Sequence, residues 1–364
     1  MAKTAFDLIK NIISASPYPE PDEAELALLR AHALLPLLGP GHEEYYLNLL
    51  CYDLHCRAVA ELEQLLAPAV PIVIKGLSAA IYYNEPSTRT LGDIDFLVRG
   101  ISVEEAVSVL ENNGFIHSLD EDSEKVHSRH ISFDKNGIHY ELHRYFSGGK
   151  TERDAAVDAA LSSAEPILRP ELPSLHTFPD AENGLVILSH IQHHLCSEGV
   201  GLRQIIDWAF FVKSVLTDEF YASSFRALLA QTGLQPLAEH LTALTEQYFN
   251  TPHRAFSANA DPETVSLLME DICSSGNFGR NYDSVSSRTS QFLTTKNPFK
   301  RLQQGGLYRW TYAQRHGWVR PFAWIYQIFF IARTLIVNRL RGNRITGVSE
   351  VASRRSRLFR ALDL

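Results

Sequence analysis

The chain has 364 residues, 45% of them hydrophobic and 21% charged, apolar material enough for roughly two folded domains, and this excludes wholesale disorder. Its 34 Lys and Arg against 42 Asp and Glu give a formal charge of −8, so the chain as a whole is not a generic basic nucleic-acid binder. The charge is unevenly divided: residues 299–364 hold 13 Lys and Arg against Glu350 and Asp363, a net of +11 that leaves −19 for the first 298 residues.

From residue 21 to 66, apolar side chains recur at three- and four-residue spacing (Leu26, Leu29, Ala33, then Tyr46, Leu50, Leu54, Ala58, Leu62). This is the pattern of two amphipathic helices, separated at Pro36 and Pro40-Gly41, and it predicts an N-terminal helical cap over residues 1–68. A β-branched run, Pro71-Ile-Val-Ile, then ends at Lys75-Gly76, and the loop NEPSTRTLG leads to a second strand at Asp93-Ile-Asp-Phe-Leu-Val-Arg. Ser102 with Glu105 reads as a capping box, and Asn113-Gly114 as the stop of the helix it opens. Strands over 130–134 and 138–144, joined through Asn136-Gly137, read as a hairpin. Strand, helix, strand, helix, hairpin is satisfied by a small mixed sheet with helices on one face, here residues 69–150.

The stretch ILRPELPSLHTFPD reads as a loop, after which helical periodicity returns at about Ala181, giving a helical domain over 151–298. Its Ser/Thr/Asn/Gly-rich end, 274–297, reads as a mobile loop before basic, aromatic-rich helices at 299–364. The fold class is therefore α+β. Cys51, Cys56, Cys196 and Cys273 make neither a CxxC pair nor a disulfide framework, pointing to a reducing, cytoplasmic compartment. The N-terminus lacks the pattern of a secretory signal. The most apolar run, 322–337, is shorter than the ~20 residues a spanning helix needs and carries Gln327 and Arg333, so no transmembrane segment is expected.

Chemistry concentrates between Lys75 and Asp95. Asp93 and Asp95, two apart on a strand, share a face and can reach one hard divalent cation, Mg²⁺ or Mn²⁺. Gly76 and Ser78 at a helix start offer N–H groups and a hydroxyl to phosphate, with Lys75 and Arg89 adding positive charge. Glu141 alternates with His139 and His143 on one strand face. It reads either as a third metal ligand acting near an attacking hydroxyl or as part of a solvent-facing polar row. His190, His193 and His194, with Cys196 nearby, lie on one helix face but lack a fixed further zinc ligand, so packing or acceptor-side hydrogen bonding is the better reading. Arg203 and Asp207, four apart, form an intrahelical pair or leave Arg203 facing substrate. The C-terminal aromatics and arginines suit packing first, and otherwise RNA stacking or docking on an anionic membrane.

KGLSAAIYYNEPSTRTLGDIDFLV followed by GIHYELHR resembles the uncharacterised nucleotidyltransferase-like family of the DNA polymerase β superfamily. The match lies at Lys75-Gly76, Tyr83, Pro86, Arg89, Gly92-Asp93-x-Asp95 and Glu141-Leu142-His143, with Leu202-Arg203 and Asp207 further on, and spans roughly residues 25–215. The resemblance implies transfer of a nucleoside monophosphate from a nucleoside triphosphate (NTP) to a hydroxyl on a small molecule, protein or RNA. It implies Asp93, Asp95 and Glu141 as metal-binding catalytic residues and Lys75, Gly76, Ser78 and Arg89 around the nucleotide. His143, His194 and Arg203 are the acceptor-side candidates among the remaining residues. The spacing from Lys75 to Asp93 departs from that of proven superfamily enzymes, so a catalytically silent nucleotide-binding or interaction module is the alternative.

Overall fold

The computed structural model describes residues 2–118, 129–147, 151–170, 172, 174–197, 199–275, 298–340 and 348–364. The fold is α+β, a seven-stranded mixed sheet among many helices. The chain divides into two compact units, Met1–Ile191 with Arg203–Asp261, and Gln192–Leu202 with Pro262–Leu364.

In the first unit, helices α1 (Ala2–Ile13), α2 (Glu23–Ala31) and α3 (Glu43–Leu66) precede strand β1 (Val70–Ile74). The short helix α4 (Gly76–Ala80) and the loop after it lead to β2 (Ile94–Arg99), then to α5 (Val103–Asn112), β3 (Ile116–His117), β4 (His130–Lys135) and β5 (Ile138–His143). The capping box at Ser102 and Glu105 is present in both directions, fixing the start of α5. The hairpin is equally local in origin. Asn136 (φ +53°) and Gly137 (φ +79°) both take the left-handed backbone of a type I′ turn, which pairs Lys135 with Ile138 and sets the register out to His130 opposite His143.

The sheet order is β3-β4-β5-β2-β1-β7-β6. The last two strands, β6 (Ile167–Leu168) and β7 (His176–Thr177), correct the expectation of a plain loop over residues 167–180. Each is only two residues long, too short to show alternation, and β7 earns its place by pairing with Ile72 of β1. β2 runs antiparallel to β1 and parallel to β5, with Asp95 opposite both Ile74 and Glu141. Period-two alternation then sorts the side chains. Val73, Phe96, Ile131, Phe133, Tyr140 and Leu142 turn to one face and bury beneath Ala58, Val59 and Leu62 of α3 and Ala106 and Leu110 of α5. Burial at this level is worth about 1.5–3 kcal/mol per large side chain. Asp95, Glu141, His143 and His130 alternate with that set, so they share the opposite face.

Helices α6 (Glu152–Ser163), α7 (Asp180–Cys196) and α8 (Leu202–Ser214) follow. α8 is nearly all buried around Trp208, Phe210 and Phe211, and Tyr82 packs edge-on against Phe211 at 5.1 Å. Residues 276–297, where a mobile loop was expected, lie outside the described residues. In the second unit, the helix Val348–Ala361 is held on the helix Pro262–Ser275 by Arg354 with Glu270 at 2.7 Å and by fully buried Arg355 facing Asp271 at 3.4 Å. The helices Pro298–Arg309 and Ala323–Leu340 touch at Gly306, where a Cβ would collide with the Ala323 carbonyl. The four cysteines are free, and among the described residues no helix is long and apolar enough to cross a membrane.

Gly184 of α7 faces the Phe211 ring so closely that a methyl group would overlap it. Gly184→Ala is expected to destabilise the first unit by about 1–3 kcal/mol through overpacking, read as a lower urea midpoint at unchanged slope.

Candidate functional site

The register brings the sequence-distant carboxylates together. Asp95 is at the start of β2, Glu141 lies beside it on β5, and exposed Asp93 precedes β2. Among the described residues two overlapping groups could hold a metal ion, Asp93/Asp95/Glu141 and His130/Glu141/His143, each with ligand atoms within 4.8 Å of one another. Both share Glu141, and neither includes His190, His193, His194 or Cys196.

Asp95 is 3% exposed and takes two charged or polar contacts on one oxygen, the Lys75 ammonium at 2.5 Å and His143 Nε2 at 2.8 Å from Oδ1. Burial alone would raise its pKa, but Lys75 and His143 outweigh it and hold the carboxyl well below the usual range. Asp93 goes the other way: its carboxyl is open to solvent on one side, yet desolvation by the protein around it and then repulsion from Asp95 and Glu141 raise its pKa. Glu141 Oε2 lies 3.2 Å from His143 Nε2 and 3.4 Å from His130 Nδ1. His143 is wholly buried. Burial lowers the pKa of His130 against the pull of Glu141. His130 was missed in the sequence, although the two-residue turn at Asn136-Gly137 already places it opposite His143.

Lys75 reaches Asp95 from an unusual backbone. At φ +59° and ψ −150° it occupies a region that is nearly glycine-only and costs of order 1–3 kcal/mol. The first turn of α4 holds it there: the Ser78 N–H and hydroxyl both donate to the Lys75 carbonyl, each at 2.7 Å. Ser78 is thus committed to bracing the turn, and its own carbonyl accepts from Asn183 at 2.7 Å. Gly76 follows at φ +35°, its Cα side open to the Asp93 carbonyl.

The loop between α4 and β2 is tied down from both sides. Asn48 of α3 donates to the carbonyls of Ser87 and Arg89, Tyr45 to Glu85 at 2.6 Å, and Thr90 to the Ala33 carbonyl at 2.7 Å. Buried Arg89 gives Nε and Nη2 to the two oxygens of Asp207, both at 2.8 Å, and Tyr83 donates to the same carboxylate at 2.7 Å. Asp207 therefore pairs across 118 residues with Arg89. Arg203, one turn earlier on α8, donates to the Thr90 carbonyl at 3.4 Å, which sets it against this same loop. His194 belongs to the second unit, its ring edge-on to His193 at 5.7 Å.

His55 of α3 completes the brace. Its Nδ1 lies 2.7 Å from the Cys51 carbonyl and its Nε2 3.0 Å from the Gly92 carbonyl, directly before Asp93. Only the imidazolium donates through both nitrogens. Burial opposes that charge, but Cys51 and the two carbonyls outweigh it and raise the pKa.

The parallel strand pair thus presents two carboxylates on one face, with a third just before the strand and a Lys-Gly turn beside them. The chain belongs to the uncharacterised nucleotidyltransferase family, whose family model matches residues 42–250. No curated protein and no solved structure matches the chain.

Asp207→Ala is expected to cost about 3–5 kcal/mol in urea unfolding, because it leaves the Arg89 guanidinium buried without its counter-charge. For His55, a raised folded-state pKa means that its contribution is fully present below the unfolded value of about 6.5 and is lost as pH rises through the folded value. Unfolding free energies measured across that window should decline with pH in the wild type and decline less in His55→Gln.

Proposed function

We propose that the chain is a metal-dependent nucleotidyltransferase that moves a nucleoside monophosphate from an NTP to a hydroxyl acceptor. The observation that carries this reading is the convergence of Asp93, Asp95 and Glu141 on one sheet face, ligand atoms within 4.8 Å. Three carboxylates are a hard-oxygen donor set, which fits Mg²⁺ or Mn²⁺. When bound, such a cation would neutralise triphosphate charge and make the acceptor hydroxyl more acidic.

The protein's own groups divide the remaining work. Asp95, kept ionised by Lys75 and His143, is the permanent anionic ligand. Asp93, whose pKa is raised by desolvation and by its two carboxylate neighbours, is the carboxylate whose ionised form an arriving cation would stabilise most. Lys75, already at the site with a positively charged nitrogen, and Gly76 with its open backbone are assigned to the triphosphate. Glu141, between His143 and His130, is assigned to hold the acceptor's proton at Oε2. Arg89 acts through the loop: its bidentate pair with Asp207 positions the segment that delivers Asp93. His143 and Arg203 are assigned to the acceptor side.

A second reading, a catalytically silent nucleotide-binding module, is favoured by one contact, the Lys75 ammonium already neutralising Asp95 Oδ1 at 2.5 Å. Titration of the four nucleoside triphosphates with Mg²⁺, with pyrophosphate measured in the presence of candidate hydroxyl acceptors, separates the two. The enzyme reading expects metal-dependent binding and release of pyrophosphate, with release falling on the order of 10²- to 10³-fold in Asp93→Asn/Asp95→Asn, the several kcal/mol that metal-held charge stabilisation supplies. Binding without release under any acceptor favours the silent module, and absence of binding to all four rejects both.

A further inference from the structure

The second unit carries an apolar face that its own packing leaves uncovered. The helix Ala323–Leu340 turns Ala323 and Gln327 toward the helix Pro298–Arg309, with Gln327 bonded to Arg309 at 3.0 Å and Trp310 stacked on Tyr326 at 5.3 Å. Another flank is exposed and apolar. Phe322, just before the helix, and Phe329 and Ile336 on it follow at i, i+7 and i+14, one stripe, and Phe329 is 71% exposed. Trp318, in the turn Gly317–Phe322 just before, is 71% exposed as well.

The stretch of sequence that carries this face has charge of one sign. Between residues 284 and 349 the sequence contains eleven Lys and Arg and no Asp or Glu. Of the described ones, Arg315 and Arg320 are exposed beside Trp318, and Arg333 is exposed within the stripe itself.

We propose that this face docks on an anionic phospholipid bilayer, with Trp318, Phe322, Phe329 and Ile336 entering the headgroup boundary and the arginines meeting lipid phosphates and carboxylates. A hydrophobic stripe flanked by basic side chains and capped by Trp and Phe is the chemistry of an interfacial helix, and exposed Arg315, Arg320 and Arg333 supply the attraction to a negative surface. Single-stranded RNA would use aromatic platforms in a cationic groove, and aliphatic Ile336 offers no such platform. A second copy of the chain laid two-fold across this stripe would bring Arg333 and its basic surroundings against their like. The proposal is independent of the carboxylate site.

The test is flotation of the full chain with phosphatidylcholine vesicles and with phosphatidylcholine vesicles containing phosphatidylserine. Three of the four tryptophans, Trp310, Trp318 and Trp324, lie in this segment, while Trp208 is wholly buried in the first unit, so tryptophan emission reports on docking. The expected result is flotation and a blue shift with the anionic vesicles only, weakened by salt. The double variant Phe322→Glu/Phe329→Glu should lower the bound fraction about tenfold or more while leaving the thermal melt unchanged, since both side chains are exposed. Equal flotation of wild type and variant, equal binding to neutral vesicles, or no flotation at all would each overturn the proposal. So would a wild-type dimer that the variant dissolves without vesicle binding, or binding of poly(U) in place of vesicles.

Discussion

A single buried negative charge organises the first unit. Asp95 stands on the inner part of a sheet face, 3% exposed, where an unpaired carboxylate would be too costly to keep ionised. Two donors aimed at one oxygen solve this, and each comes with its own structural demand. His143 is delivered by the strand that pairs with β2 through Glu141. Lys75 is delivered only because its backbone is held in a conformation that other residues avoid, and that strain is small against the desolvation of a buried ion.

The second layer of organisation lies in α3 and the loop after α4. One side of α3 covers the sheet core through Ala58, Val59 and Leu62, while Asn48, His55 and Tyr45 reach the loop that leads to Asp93. A helix that merely capped the sheet would have no need of a buried Asn and a buried His on its inner face. Their targets are backbone carbonyls, so the brace constrains the path of the loop whatever side chains the loop carries.

Much of this was legible in the sequence, for local reasons. The capping box of α5, the type I′ turn and the alternation of Tyr140 and Leu142 with Glu141 and His143 are all short-range signals, and the strands they mark formed where expected. The grouping of Asp93 with Asp95 needed only strand periodicity. What stayed hidden depends on partners far along the chain. Arg203 looked like the natural companion of Asp207 one turn away, yet the carboxylate pairs with Arg89, whose guanidinium meets both oxygens in plane. Strands β6 and β7 are defined by their neighbours and carry no pattern of their own. Helix α1 was passed over because its short run of apolar residues sits among charges. His55 gave no sign in the sequence, since an isolated histidine on an amphipathic helix is indistinguishable from a packed one.

The link between Arg89 and Asp207 also bears on where the protein can be cut. A fragment that stops after the sheet and α6 would contain every carboxylate of the cluster and yet leave Arg89 with an unneutralised guanidinium in an apolar setting, and Tyr83 without its acceptor. The loop would then have reason to open toward water, carrying Asp93 with it. The unit that holds the carboxylates therefore extends at least through α8, and the sheet by itself does not complete it.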